Sequence, residues 1–171
     1  MTAIDLGSSG LRATKADGVL RVVLDRPERK NACTVEMYHG IKKAAVVAER
    51  DPEIDVVVLT GSGDVFCVGG EMGGKHEGGQ PLDRETDGLD LTPFVQLERC
   101  PKIVLVAING MCQGGGLVMT LMSDVSVVSD RATFRVPEPS TTESLASARE
   151  VCPAPIKSAM KLPLRVVQAR S

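Results

Sequence analysis

Two glycine clusters are the residues of this chain whose types and spacing could do chemistry. The first cluster, Phe66-Cys67-Val68-Gly69-Gly70-Glu71-Met72, follows closely on the apolar run at 56–59. The second, Asn109-Gly110-Met111-Cys112-Gln113-Gly114-Gly115-Gly116, lies between an apolar run and a short apolar helix pattern. Paired glycines let the backbone take conformations closed to other residues and approach a ligand closely. A helix start adds unpaired N–H groups and the positive end of a dipole, which suit an anionic oxygen. One N–H from each cluster, at Gly70 and at Gly115, could together hold the charge that develops on a carbonyl oxygen. Taken alone, each cluster reads first as a tight structural turn after a strand.

These residues need elements to position them. Residues 11–15 and 19–25 are apolar-rich runs separated by Ala16-Asp17-Gly18, and an Asp-Gly pair in that place favours a hairpin. Arg26-Pro27 ends the second strand. Met37, Ile41, Ala45 and Ala48 recur at helical spacing across 34–50, with Thr34 as N-cap and Pro52 closing the segment. Val56-Val57-Val58-Leu59 is an uninterrupted apolar run ahead of Gly61, which suits a fully buried parallel strand. Residues 103–108 predict a second such strand, residues 117–122 a short apolar helix, and residues 125–128 a third buried strand. Strands alternating with helices place the chain in the α/β class. Residues 73–90 form a glycine-rich, charged loop, a kind that is either functional or disordered. Beyond Glu138, Pro139, Pro153, Pro155 and Pro163 leave room only for short helices. No fixed-period repeat is visible.

Bulk properties exclude several classes of function. A chain of 171 residues is most naturally one domain, and 43% apolar with 25% charged residues is ordinary for a globular protein. A net charge of −2 gives no electrostatic reason to bind nucleic acid or an anionic membrane. With no Trp, one Tyr and three Phe, a base-stacking surface is not expected either. Five scattered cysteines without a C-x-x-C pair, and His39 far from His76, argue for reduced thiols rather than a zinc site. Residues 1–10 do not read as a secretory signal, and no stretch approaches the ~20 apolar residues of a membrane span. A soluble, cytoplasmic chain is the expectation. A dinucleotide-binding fold is disfavoured because Gly114-Gly115-Gly116 lacks the G-x-G-x-x-G spacing, and no P-loop motif occurs.

Taken in order, the motifs over residues 11–138 resemble the enoyl-CoA hydratase/isomerase (crotonase) superfamily. The resemblance is carried by Asp25-Arg26-Pro27, Asn31-Ala32, the segment from Phe66 to Met72, Ala107-Ile108-Asn109-Gly110 and Gly114-Gly115-Gly116. Ser123-Asp124 and Ala132-Thr133-Phe134-Arg135-Val136-Pro137-Glu138 complete it. The resemblance implies a crotonase-like spiral of ββα units with its C-terminal part incomplete. Residues 1–138 would form the acyl-CoA-binding core, and 139–171 a short, helical C-terminal segment.

By the same resemblance, the amides of Gly70 and Gly115 hold the thioester oxygen of an acyl-CoA. Arg29, Asn31, Ala32, Val68, Gly70, Glu71, Met72 and Gly73 would lie along the coenzyme A moiety, which enters as part of the substrate, so no separate cofactor is expected. Glu71 stands where an aspartate is more usual. Of two glutamates that the family's hydratases use, the later is filled by Glu138, whereas the earlier is Val118, which can neither accept nor donate a proton. One base suffices to shift a double bond, so the pattern resembles the isomerase branch. The resemblance also implies a homo-oligomer, a trimer or a dimer of trimers. After Glu138 the family's continuation is missing, and residues 144–161 weakly resemble its last helix. A non-catalytic acyl-CoA-binding or oligomer-forming remnant of the fold is therefore the alternative.

Overall fold

The computed structural model describes residues 1–71 and 94–135. Strand β1 (Thr2–Ile4) pairs antiparallel with β2 (Leu11–Ala16), which turns back into β3 (Val19–Leu24) as the expected hairpin. Asp17 and Gly18 close that hairpin with φ of 49° and 79°, the left-handed pair that a tight two-residue loop between twisted strands requires. The Gly18 carbonyl then accepts from the N–H groups of both Asp55 and Val56, at 2.8 and 3.2 Å. The tip of the hairpin thereby meets the entry of β4 (Val56–Gly61), which runs parallel to β3 with Val19 opposite Val56.

Helix α1 (Val35–Arg50) starts where Thr34 predicts, its side-chain oxygen accepting from Met37 N–H at 3.3 Å. Met37, Ile41, Ala44, Ala45 and Ala48 form its buried stripe. They join a core with Leu20, Val22 and Leu24 of β3, Val57 and Leu59 of β4, and Val104, Val106 and Ile108 of β6 (Ile103–Ile108). Strand β8 (Val125–Val128) completes a six-stranded sheet in the order β1-β2-β3-β4-β6-β8. The expectation for β8 needs correction. It is last in that order rather than enclosed, and Val125 is 39% exposed.

A second sheet was not announced by any periodicity. Three very short strands, β5 (Val65–Cys67), β7 (Met111–Gln113) and β9 (Phe134–Arg135), pair in parallel in the order β5-β7-β9. Each follows one long strand, so β4-β5 and β6-β7 lead into the short helices α2 (Val95–Glu98) and α3 (Gly115–Leu121), and β8 leads into β9. This is the expected ββα spiral of the α/β class. Helix α3 begins at Gly115, earlier than the apolar run alone predicts. Met72, Gly73, the loop at 73–90, Glu138 and the segment 139–171 lie outside the described residues. Among the described residues no helix is long and apolar enough to cross a membrane.

Candidate active site

The site is assembled by three backbone segments that leave β3, β5 and β7. After β3 the chain makes a compact turn around Arg26 and Asn31. Asn31 is fully buried and its side chain satisfies three backbone groups, accepting from Arg26 N–H at 2.9 Å and donating to the carbonyls of Ser62 and Val65 at 3.0 and 2.7 Å. Lys30 and Asn31 both sit at positive φ, 52° and 54°. The Asn31 side chain thus faces the protein and shapes the turn instead of presenting itself to a ligand. Asn109 braces the same 61–65 turn from β6, accepting from Gly61 N–H at 3.1 Å and donating to Gly63 O at 2.8 Å.

The first glycine cluster is held from both sides. Cys33 N–H donates to Gly69 O at 2.8 Å, and Glu71 N–H donates to Cys33 O at 2.9 Å, a single parallel bridge opposite Gly70. In such a bridge the flanking residues carry the bonds, so the N–H and C=O of Gly70 face away from Cys33. On the other side lies the second cluster. A Cβ on Gly69 would stand 3.1 Å from the Gly115 nitrogen, and one on Gly114 would stand 3.3 Å from the Gly69 Cα. Gly69 has φ of 101° and Gly114 of 55°, so both the contact and the backbone demand glycine. The two clusters that the sequence pairs are therefore in backbone contact. Among the described residues neither the Gly70 nor the Gly115 N–H donates to a backbone carbonyl.

Charge flanks this junction. Arg26 donates to Ala32 O at 2.9 Å and forms a forked ion pair with Glu71 at 3.1 and 3.4 Å, while Arg29 Nε stands 3.9 Å from the same carboxylate. The Arg26 hydrogen bond, then the neighbouring cations, hold the Glu71 carboxyl below the ordinary glutamate range. Arg29, with its side chain 65% exposed, remains open to solvent. Val68 lies half-buried between β5 and Gly69, and Ala32 half-buried beside Cys33. Val118, on α3, is half-buried and packs against the core.

Behind the glycines is a layer of soft, inert groups. Cys33 and Cys67 are buried with their sulfurs 3.7 Å apart, and the hydrogen bond between them, reinforced by burial, pushes the Cys33 thiol up. Burial also raises Cys112, to about 11. The Cys33 and Cys112 thiols therefore stay protonated and fill space, while the same hydrogen bond from Cys33 lowers Cys67. Tyr38, one residue beyond the core Met37 on α1, was not anticipated at the site. Its ring packs edge-on to Phe94, with centroids 5.4 Å apart at 75°. Its hydroxyl lies 3.0 Å from where a Gly70 Cβ would be and 3.1 Å from where a Gly115 Cβ would be. The one available signal was that it is the only tyrosine in a chain poor in aromatics.

Residues 14–142 match the family described as enoyl-CoA hydratase/isomerase. The chain belongs to that family. Among its members, the chain is 33% identical over 135 residues to "Enoyl-CoA delta isomerase 2" of Homo sapiens, a match covering 77% of this chain and 34% of the human protein. It is equally 33% identical, over 132 residues, to "Carnitinyl-CoA dehydratase" of Proteus mirabilis (strain HI4320), covering 77% of this chain and 50% of that one. A solved enoyl-CoA hydratase/isomerase from Pseudoalteromonas atlantica T6c superposes with a TM-score of 0.65 at 30% identity, over 75% of this chain and 50% of that structure. The chain thus spans from a third to a half of the length of these family members.

Proposed function

We propose that this member of the enoyl-CoA hydratase/isomerase family binds an acyl-CoA thioester with its carbonyl oxygen between the amides of Gly70 and Gly115. The observation that carries this is the backbone contact of Gly69-Gly70 with Gly114-Gly115, where the Gly70 and Gly115 N–H groups donate to no backbone carbonyl among the described residues. Removing a proton from C2 of a thioester drives negative charge onto the carbonyl oxygen. Preorganised backbone donors stabilise that charge without reorganising, and one such donor is worth roughly 10²- to 10³-fold in rate.

Glu138 is the base in this proposal. Its carboxylate takes the C2 proton of a 3-enoyl-CoA, the electron pair spreads through the enolate, and the same proton returns at C4. The double bond has then moved to C2, with no water consumed. Val118 supports isomerisation over hydration, because its position supplies no second carboxylate to activate water. The turn bearing Arg29, Asn31 and Ala32 and the segment bearing Val68, Glu71, Met72 and Gly73 would run along the coenzyme A moiety. Of these, Arg29 offers the exposed charge for its phosphates, and Asn31 acts through the shape of the turn.

Val118, where a second carboxylate would stand, favours one other reading, an acyl-CoA-binding protein without turnover. Incubation with 2-enoyl- and 3-enoyl-CoA, following hydration and double-bond migration together, separates the two. Isomerisation of 3-enoyl-CoA that drops at least a hundredfold in Glu138→Gln is expected. Full activity in Glu138→Gln would remove Glu138 from the mechanism, and binding without turnover would establish the second reading. Light scattering on the same sample is expected to give the mass of a trimer or a dimer of trimers.

A further inference from the structure

We infer that the Tyr38 hydroxyl is a third hydrogen-bond donor to the substrate's carbonyl oxygen, beside the amides of Gly70 and Gly115. This rests on the oxyanion-binding role proposed for those two glycines, and adds to it a side chain that touches the substrate. The hydroxyl occupies the notch left by two absent side chains at once, 3.0 Å from the Cβ position of Gly70 and 3.1 Å from that of Gly115. It is delivered there by a ring fixed in the edge-on contact with Phe94 and by a helix whose preceding residue, Met37, is fully buried. A half-buried phenol normally finds a hydrogen-bond partner for its O–H. Among the described residues none accepts from it.

The neighbouring glycine amides cannot fill that role, because they are donors too. Two amide donors and a hydroxyl that can donate around one notch fit an oxygen that carries lone pairs and gains charge during reaction. Burial pushes the phenol's pKa up, so the O–H remains a donor at neutral and mildly alkaline pH. If packing against Phe94 were all that the position required, phenylalanine would serve equally.

Phenylalanine is therefore the test. Hexanoyl-CoA and its thioether counterpart hexyl-CoA differ by the carbonyl oxygen, and calorimetry would measure both against wild type and Tyr38→Phe. Wild type is expected to prefer hexanoyl-CoA. Tyr38→Phe is expected to bind hexanoyl-CoA about tenfold more weakly, the scale of one lost hydrogen bond, and to bind hexyl-CoA as wild type does. Equal weakening of both ligands would make Tyr38 a packing residue and overturn the assignment. A wild type that discriminates, with a Tyr38→Phe that discriminates just as well, overturns the third donor alone. A wild type that binds both ligands equally, or neither, overturns the role of the two glycines and the third donor with it.

Discussion

Glu71 shows how one side chain at this site is tied to the fold. Its backbone N–H closes the bridge to Cys33, and its carboxylate is gripped by Arg26 with Arg29 nearby. Because the folded carboxyl titrates below its ordinary value, the clasp stabilises the fold above the unfolded glutamate pKa, and that contribution is lost as pH falls through the lowered folded value. Glu71→Gln should therefore be less stable than wild type at pH 7. The gap in urea midpoint should close below about pH 4, where the unfolded carboxyl protonates. A gap that stayed constant with pH would mean that shape, not charge, is what Glu71 supplies. The effect will be modest, because both side chains remain partly open to water. An aspartate at this position would have a shorter reach toward Arg26, which gives the unusual glutamate a structural purpose.

At the level of elements, the long segments were legible and the short ones were not. The hairpin, α1 with its Thr34 cap, β4 and β6 each announce themselves by a run, a turn pair or a helical stripe. Strands β5, β7 and β9 span only three, three and two residues, too few for any alternation to register. Only the turn before β5 carries a further sign, in the Asn31 and Asn109 amides that bind its backbone. The ββα units show no fixed period along the sequence for a related reason. Val56 of β4 pairs with Ile103 of β6, yet Leu105 of β6 pairs with Val125 of β8, so equivalent strands are unequally spaced along the chain. At the site, the two glycine clusters were found by type and order, whereas Tyr38 was invisible because helical spacing does not say which loops a helix faces. Asn31 was located correctly in the turn, but burial gives it a different task from ligand contact. Asn31→Ala would orphan the Arg26 N–H and the carbonyls of Ser62 and Val65 together. A loss of about 3 kcal/mol is expected, read as a shifted urea midpoint with an unchanged slope. A loss under about 0.5 kcal/mol would show that water replaces the amide without difficulty.

For the whole molecule, the match to its family runs over 14–142, and the parallel pairs of the six-stranded sheet, β3-β4, β4-β6 and β6-β8, join strands from distant parts of the chain. Parallel pairing of this kind is slow to establish, since each strand must close a long loop before it gains contacts. The turn at Asp17-Gly18 shortens that search. It belongs to a local hairpin, and it offers one carbonyl to two successive N–H groups of the incoming fourth strand. Folding in this chain would then start at its N-terminal hairpin, with α1 docking as β4 is templated against β3. Gly18→Ala tests the order, because a Cβ there would meet the Asp55 carboxylate at 2.8 Å on a backbone at φ of 79°. Its destabilisation, about 1 kcal/mol or more, should appear as slower refolding in a chevron plot. An effect confined to the unfolding arm would put the hairpin tip late instead. Under the first outcome, a two-residue turn far in sequence from either glycine cluster sets the rate at which the face carrying both clusters can form at all.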